Sequence, residues 1–186
     1  VELNPNVDLD WSKLQRNFYT TSSCGVCGKE SIEAIRTTCN LPKHQPKLSI
    51  NPNVIVALPD KLRARQSVFE HTGGIHACAL FSVDGTLHLV REDVGRHNAL
   101  DKLIGASLKM SDEILASSIL LLSGRASFEL LQKAAMANIQ VVCAVGAPSS
   151  LAVQTAQEFG ITLIGFLRDN RFNIYTHTER INEQLI

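Results

Sequence analysis

From residue 76 onward, apolar runs alternate with amphipathic ones, and a turn signal marks almost every junction. "IHACALFSV" and "TLHLVRE" flank Asp84-Gly85, a pair that predicts a tight hairpin. "GRHNALDKLIGASL" sets Ala99, Leu100, Leu103, Ile104 and Leu108 on one face, which predicts a helix. Next come "LASSILLLS" as a buried strand, "RASFELLQKAAMAN" as a helix, "QVVCAVG" as a strand and "PSSLAVQTAQEFG" as a helix. "TLIGFL" reads as a strand, and Asp169-Asn170 turns the chain into a last strand, "RFNIYTH". Strand–helix–strand repeats imply parallel neighbours joined by right-handed crossovers. The expectation is an α/β fold: three α/β/α layers around a mixed, mostly parallel sheet.

The first part of the chain is less regular. Residues 1–20 are polar, and "LNPNVDLD" reads as turn or linker. A glycine-flanked cysteine pair, "SSCGVCGK", follows, then "KESIEAIRTTC" as a short helix. "PKHQPKLSINPN" is expected to be loop, because Pro and Asn break any period. "LPDKLRARQSVFE" reads as one helix with Pro59 near its start, stopped by "HTGG". The organisation expected is an N-terminal segment, residues 1–40, carrying the cysteine loop and a short helix, followed by one compact α/β domain, residues 41–186. At 186 residues the chain can build one substantial core. It begins with Val, so a preceding part is expected to be absent.

Composition narrows the function classes. No apolar run approaches the roughly 20 residues that span a bilayer, and no signal peptide is visible in residues 1–20. Five cysteines, an odd number without framework spacing, suit a reducing cytoplasm better than a disulfide scaffold. Formal net charge is zero, so neither nucleic acid nor an anionic membrane is an expected partner. An anionic ligand would have to be held locally.

Ligands of open α/β sheets bind beyond the carboxyl ends of parallel strands. Three strand-to-helix turns fall there: "EDVGRHN" (92–98), "SGRASF" (123–128) and "VGAPSS" (145–150). Each offers amides at a helix start, which suit phosphate. Arg96 and Arg125 add guanidinium forks, and Gly95, Gly124 and Gly146 let backbone come close to a ligand. Any single turn reads as ordinary capping, and it is the recurrence of Gly-Arg or Arg-His in two of the three that brings a shared anion site level with it. His76 at a strand start and His97 in a first helical turn fit structural hydrogen bonding better than a ligand or acid–base role. Glu92, Asp93 and Asp101 read as capping and solvated positions.

For Cys24 and Cys27 three uses compete. A zinc site needs four ligands, and one C-x-x-C supplies two. Cys39 adds a third, but no second C-x-x-C or H-x₃₋₅-H completes the set. A thioredoxin-like pair would open a helix after a strand. Here the pair follows a polar segment, between Gly25 and Gly28, on a loop expected to be mobile over residues 20–28. Such a loop suits thiolates that accept and hand on sulfur. Structural or incidental thiols remain the third use. Cys78 and Cys143, inside strand patterns, are expected to be inert core residues, and Cys39 structural.

"SSCGVCG", "FEHTGGIHACALF", "EDVGRHNALDK", "SGRASFELLQKAA", "VGAPSSLAV" and "GFLRDNRFNIYT" together resemble the FdhD family, sulfurtransferases required for formate dehydrogenase activity. The resemblance runs from about Arg16 to Thr176, with the motifs in the family's order. A strand-rich N-terminal segment usual in the family looks absent. The resemblance implies a sulfur carrier. Sulfane sulfur comes from a cysteine desulfurase as a persulfide on Cys24 and Cys27. It passes to a molybdenum or tungsten bis-pterin guanine dinucleotide cofactor destined for formate dehydrogenase. His76, Arg96, His97, Ser123, Gly124 and Arg125 then become candidates for binding that cofactor, with no metal ion of the protein's own and a homodimer expected. A cofactor chaperone without sulfur chemistry is the alternative. The family's fold resembles that of cytidine deaminases, whose zinc needs H-x-E and P-C-x-x-C. Here Asn98 and Ala99 follow His97, and "SGRASF" holds no cysteine, so those three ligands cannot assemble.

Overall fold

The computed structural model describes residues 47–182. The cysteine loop, the helix predicted over 29–39 and the boundary expected after residue 40 lie outside them.

Asn51 opens the first helix. Its side-chain oxygen accepts the Asn53 amide at 2.9 Å, and Pro52 takes the first helical position, where no amide is needed. Helix α1 (Pro52–Arg63) therefore begins inside the stretch read as loop, and Pro59 lies within it rather than near its start. Burial of Ile55, Leu58 and Leu62 against the sheet holds this helix despite the missing Pro59 amide. After a break, α2 (Ser67–Thr72) follows and ends on Gly73 at φ +65°. The single helix expected over 58–70 is thus two.

Strands β1 (His76–Ser82) and β2 (Leu87–Asp93) form the predicted hairpin, with Gly85 at φ +81°. Helix α3 (Arg96–Ser107) follows. A short α4 (Asp112–Ala116), capped by the Ser111 hydroxyl, takes Leu115 and Ala116 out of the run expected to be strand. The order continues as β3 (Ser118–Leu122), α5 (Phe128–Met136), β4 (Val141–Ala144), α6 (Ser150–Glu158), β5 (Thr162–Arg168) and β6 (Arg171–Thr176), then a 3₁₀ turn (Thr178–Arg180). Asp169 and Asn170, at φ +53° and +55°, make the two-residue turn between β5 and β6.

The six strands lie in the order β2-β1-β3-β4-β5-β6. β3, β4 and β5 pair in parallel, as the strand–helix repeats predict. β1 is antiparallel to both β2 and β3, and β6 to β5. Four strands (β2 to β5) therefore run one way and two the other, a mixed and mostly parallel sheet. Alternate side chains feed two cores. Leu80, Leu120, Leu122, Val142 and Leu163 pack under α3, α5 and α6. Ala79, Phe81, Ile119, Leu121, Val141 and Cys143 pack under α1. This is the expected three-layer α/β/α domain. Among the described residues, no helix is long and apolar enough to cross a membrane.

Candidate functional site

Because β1 opposes its neighbours, its first residue lies at the edge where β2, β3 and β4 end. His76 pairs in register with Asp93, and two residues on Cys78 pairs with both Arg91 and Leu122. The ladder continues past the end of β3. The Ser123 amide donates to the Ala77 carbonyl at 3.0 Å, and the Ser123 hydroxyl accepts the Ala77 amide at 2.8 Å. A Cβ on Gly124 would lie 3.3 Å from the imidazole of His76, so that ring rests against the glycine backbone. His76, Ser123 and Gly124 are thus brought together.

The next turn is tied to this one. The Gly146 amide donates to the Gly124 carbonyl at 3.0 Å, and the Ser149 amide to the Ala126 carbonyl at 2.9 Å. Arg125 lies across Gly146, where a Cβ would meet its Cγ and its amide nitrogen at 3.0 Å. Its side chain is exposed, with no hydrogen bond or ion pair to the described residues.

The third turn is built on Asp93. Its Oδ1 accepts the Gly95 amide at 2.9 Å and the Asn98 side-chain amide at 3.2 Å. Its Oδ2 pairs with Lys102 at 2.5 Å. Lys102 first, then the Gly95 amide, pull this carboxyl down to about 2. Glu92 reaches the other way and accepts the Val68 and Phe69 amides, both at 3.1 Å, capping α2. Asp101 pairs with Lys133 at 2.7 Å. Asp93 and Glu92 cap turn and helix amides, as expected, while Asp93 and Asp101, expected to cap or to be solvated, are also paired with lysines.

At the starts of α3 and α5, polar atoms are left over. Arg96 Nε and Ser127 Oγ are buried without a partner among the described residues. His97 Nδ1 lies 3.2 Å from Glu129 Oε2, but it is out of line for a hydrogen bond. Burial lowers the His97 pKa and Glu129 offsets this in part, so the ring tends to the neutral form. Buried groups left unsatisfied in this way point to an absent ligand or to strain.

On the α1 side of the edge lies a cleft of about 490 Å³. Pro59, Arg63, Gln66, Phe69, His76 and Ser123 are among its lining residues. The Arg63 guanidinium sits 4.3 Å above the Phe69 ring, a cation–π contact. The predicted residues therefore fall into separate groups on one edge. His76 and Ser123 line the cleft, Arg125, on the same turn as Ser123, is exposed where it crosses Gly146, and Arg96 and His97 open α3. No side-chain hydrogen bond or ion pair joins these groups among the described residues; the 123–128 and 145–150 turns are tied through their backbones.

The sequence profile of the FdhD/NarQ family matches residues 1–182. The chain belongs to the FdhD/NarQ family. It is 55% identical over 182 residues to a "Sulfur carrier protein FdhD" of Streptomyces coelicolor, covering 97% of this chain and 64% of that protein. The protein of the same name from Mycobacterium tuberculosis is 51% identical over 181 residues, 97% of this chain and 66% of its own length. That of Picrophilus torridus is 49% identical over 89% of this chain and 63% of its own. The chain thus spans about two thirds of the length of these relatives. A crystal structure described as that of a formate dehydrogenase accessory protein from Desulfotalea psychrophila superposes with a TM-score of 0.67 at 28% identity. The superposition covers 75% of this chain and 62% of that one.

In this FdhD/NarQ chain, Cys24, Cys27 and Cys39 lie outside the described residues. Cys78 and Cys143 are buried, 2% and 0% exposed. Burial pushes the Cys78 thiol up to about 12 and raises that of Cys143 as well, so both are the inert core thiols expected. Sequence reasoning missed Ser127, Glu129, Arg63 and Phe69. Ser127 carried a usable signal, a serine directly before an apolar helical run. The others are placed by tertiary packing alone.

Proposed function

We propose that this chain is a sulfur carrier of formate dehydrogenase maturation, with residues 1–40 as the segment bearing Cys24 and Cys27. The observation that carries this reading is the family match over residues 1–182, which includes both thiols. A thiolate of the pair attacks the outer sulfur of a persulfide on a cysteine desulfurase. The donor's S–S bond breaks, a new one forms, and the donor leaves as thiolate, so electrons balance without an outside oxidant. The second thiol then attacks the inner sulfur of the persulfide, closing a Cys24–Cys27 disulfide and releasing the outer sulfur as sulfide. Its acceptor is a molybdenum or tungsten bis-pterin guanine dinucleotide, which would be held at the carboxyl edge near His76, Arg96, His97, Ser123, Gly124 and Arg125. The unpartnered Arg96 Nε and Ser127 Oγ, with the exposed Arg125, support an anionic ligand there. Formate dehydrogenase receives the product, in the cytoplasm, from a homodimeric carrier.

Intact-mass measurement after incubation with a cysteine desulfurase and cysteine tests the chemistry. The protein should gain one sulfur atom, and Cys24→Ala with Cys27→Ala should abolish the gain. Sulfur retained by the double variant would overturn the assignment of the carriers. If that variant still supports formate dehydrogenase, the chain is a cofactor chaperone. Arg96→Ala or Arg125→Ala should weaken binding of guanosine diphosphate about ten- to a hundredfold and leave sulfur loading intact. Loss of both together would mean that the arginines serve the fold.

A further inference from the structure

Gln66 is buried without a partner for its side chain. It stands between α1 and α2, 7% exposed, and its backbone amide is satisfied by the Arg63 carbonyl at 3.2 Å. Its carboxamide makes no hydrogen bond to any described residue, not even as a cap of α2. A buried polar group left in this state calls for a ligand or a cost. The carboxamide borders the 490 Å³ cleft on the α1 side of the edge, whose apolar wall includes Leu62, Phe69, Ile75 and Val145.

Two more donors border the same space. The Ser123 hydroxyl accepts the Ala77 amide at 2.8 Å, so its own proton is uncommitted. Arg63 is held 4.3 Å above the Phe69 ring and has no carboxylate partner among the described residues. Asp60, the one carboxylate among the lining residues, is exposed to solvent. A phosphate would need several amides or paired forks, and the Val68 and Phe69 amides that open α2 are already taken by Glu92. A compact, polarisable anion needs only one cation and one or two donors. The guanidinium is itself weakly hydrated, and sulfur packs well against an aromatic ring. Hydrosulfide has these properties, and the chemistry proposed above produces it. When the second thiolate attacks the inner sulfur, the bond to the outer sulfur breaks. The outer sulfur leaves with the electron pair and its proton, tethered to nothing. The cleft has room for that sulfur beside the thiol that delivers it, and His76 and Ser123 border both the cleft and the edge assigned to the acceptor.

We propose that the Gln66 cleft is a hydrosulfide-holding site, with Arg63 as counter-ion and the Gln66 carboxamide and Ser123 hydroxyl as donors. This deepens the sulfur-carrier reading, on which it rests for the source of the sulfide. Anaerobic calorimetric titration of the fully reduced chain with sodium hydrosulfide tests it, with chloride and inorganic phosphate as comparison anions. The wild type should bind hydrosulfide more tightly than either. Arg63→Gln should weaken hydrosulfide by about tenfold or more. Gln66→Leu should weaken it severalfold, with a melting temperature no lower than wild type, because an apolar group replaces an unpaired polar one. Hydrosulfide affinity within twofold of wild type in both variants, or phosphate bound as tightly as hydrosulfide, overturns the site. A lowered melting temperature in Gln66→Leu would mean that the carboxamide serves the fold and overturns its part. Sulfur loading and disulfide closure on Cys24 and Cys27, read by intact mass in the same preparations, report separately on the carrier reading. Their absence with hydrosulfide binding intact sinks that reading and not the site.

Discussion

A thiol carries sulfur only if it can ionise and be reached, and the two described cysteines can do neither. Cys78 and Cys143 sit in central strands under helices, where burial disfavours the thiolate. Iodoacetamide applied to the folded protein should therefore leave both unmodified while labelling Cys24 and Cys27. Peptide mapping that finds native Cys143 alkylated would contradict its place in the core. Asp93 gives a pH test. Lys102 and the Gly95 amide hold its carboxyl at about 2 in the fold, against an ordinary value near 4 in the unfolded chain. A depressed carboxyl pKa stabilises the fold fully above the unfolded value, and this is lost as pH falls toward the folded one. Asp93→Asn should lower the melting temperature at pH 7, with the difference shrinking below about pH 4 and vanishing near pH 2.

Elements at the edge depend on caps supplied from elsewhere in the chain. Helix α2 is six residues long and has no capping side chain of its own. Its Val68 and Phe69 amides are taken by Glu92 at the end of β2. Glu92→Ala should expose these amides, and hydrogen exchange across 67–72 should quicken by about tenfold, for a local loss near 1 kcal/mol. Global melting should shift little, because α2 contributes nothing to the two main cores. The same dependence explains where local reading failed. Pro59 looked like a helix start because proline favours the first turn, yet Asn51 and Pro52 had already begun α1. The apolar face of that helix kept Pro59 inside. The Asp84-Gly85 and Asp169-Asn170 turns were legible because their backbone angles are a property of those residues alone.

At the scale of the molecule, one central sheet serves both faces. Leu121 is fully buried on β3, beneath α1. Leu121→Ala should destabilise the fold by about 2–5 kcal/mol, read by denaturant unfolding, with the spread set by how far the cavity collapses. The layer count, the parallel β3-β4-β5 core and the three turns at its carboxyl edge were determined by sequence. Hydrophobic period and turn chemistry are local, and strand–helix repeats admit few topologies. The candidate residues Arg96, Arg125 and His97 were legible because they sit in those turns. What only the tertiary structure decided is which of them meet. β1 runs against its neighbours, and that brings His76 onto Gly124 across 48 residues of chain. Burial at the starts of α3 and α5 leaves Arg96 Nε and Ser127 Oγ unsatisfied. The slip between β5 and β6 turns Phe166 outward at φ +53°, beside Arg168 and Arg171. Each is a long-range pairing or register event, and no local preference encodes it: phenylalanine by itself favours the extended backbone that β5 denies it.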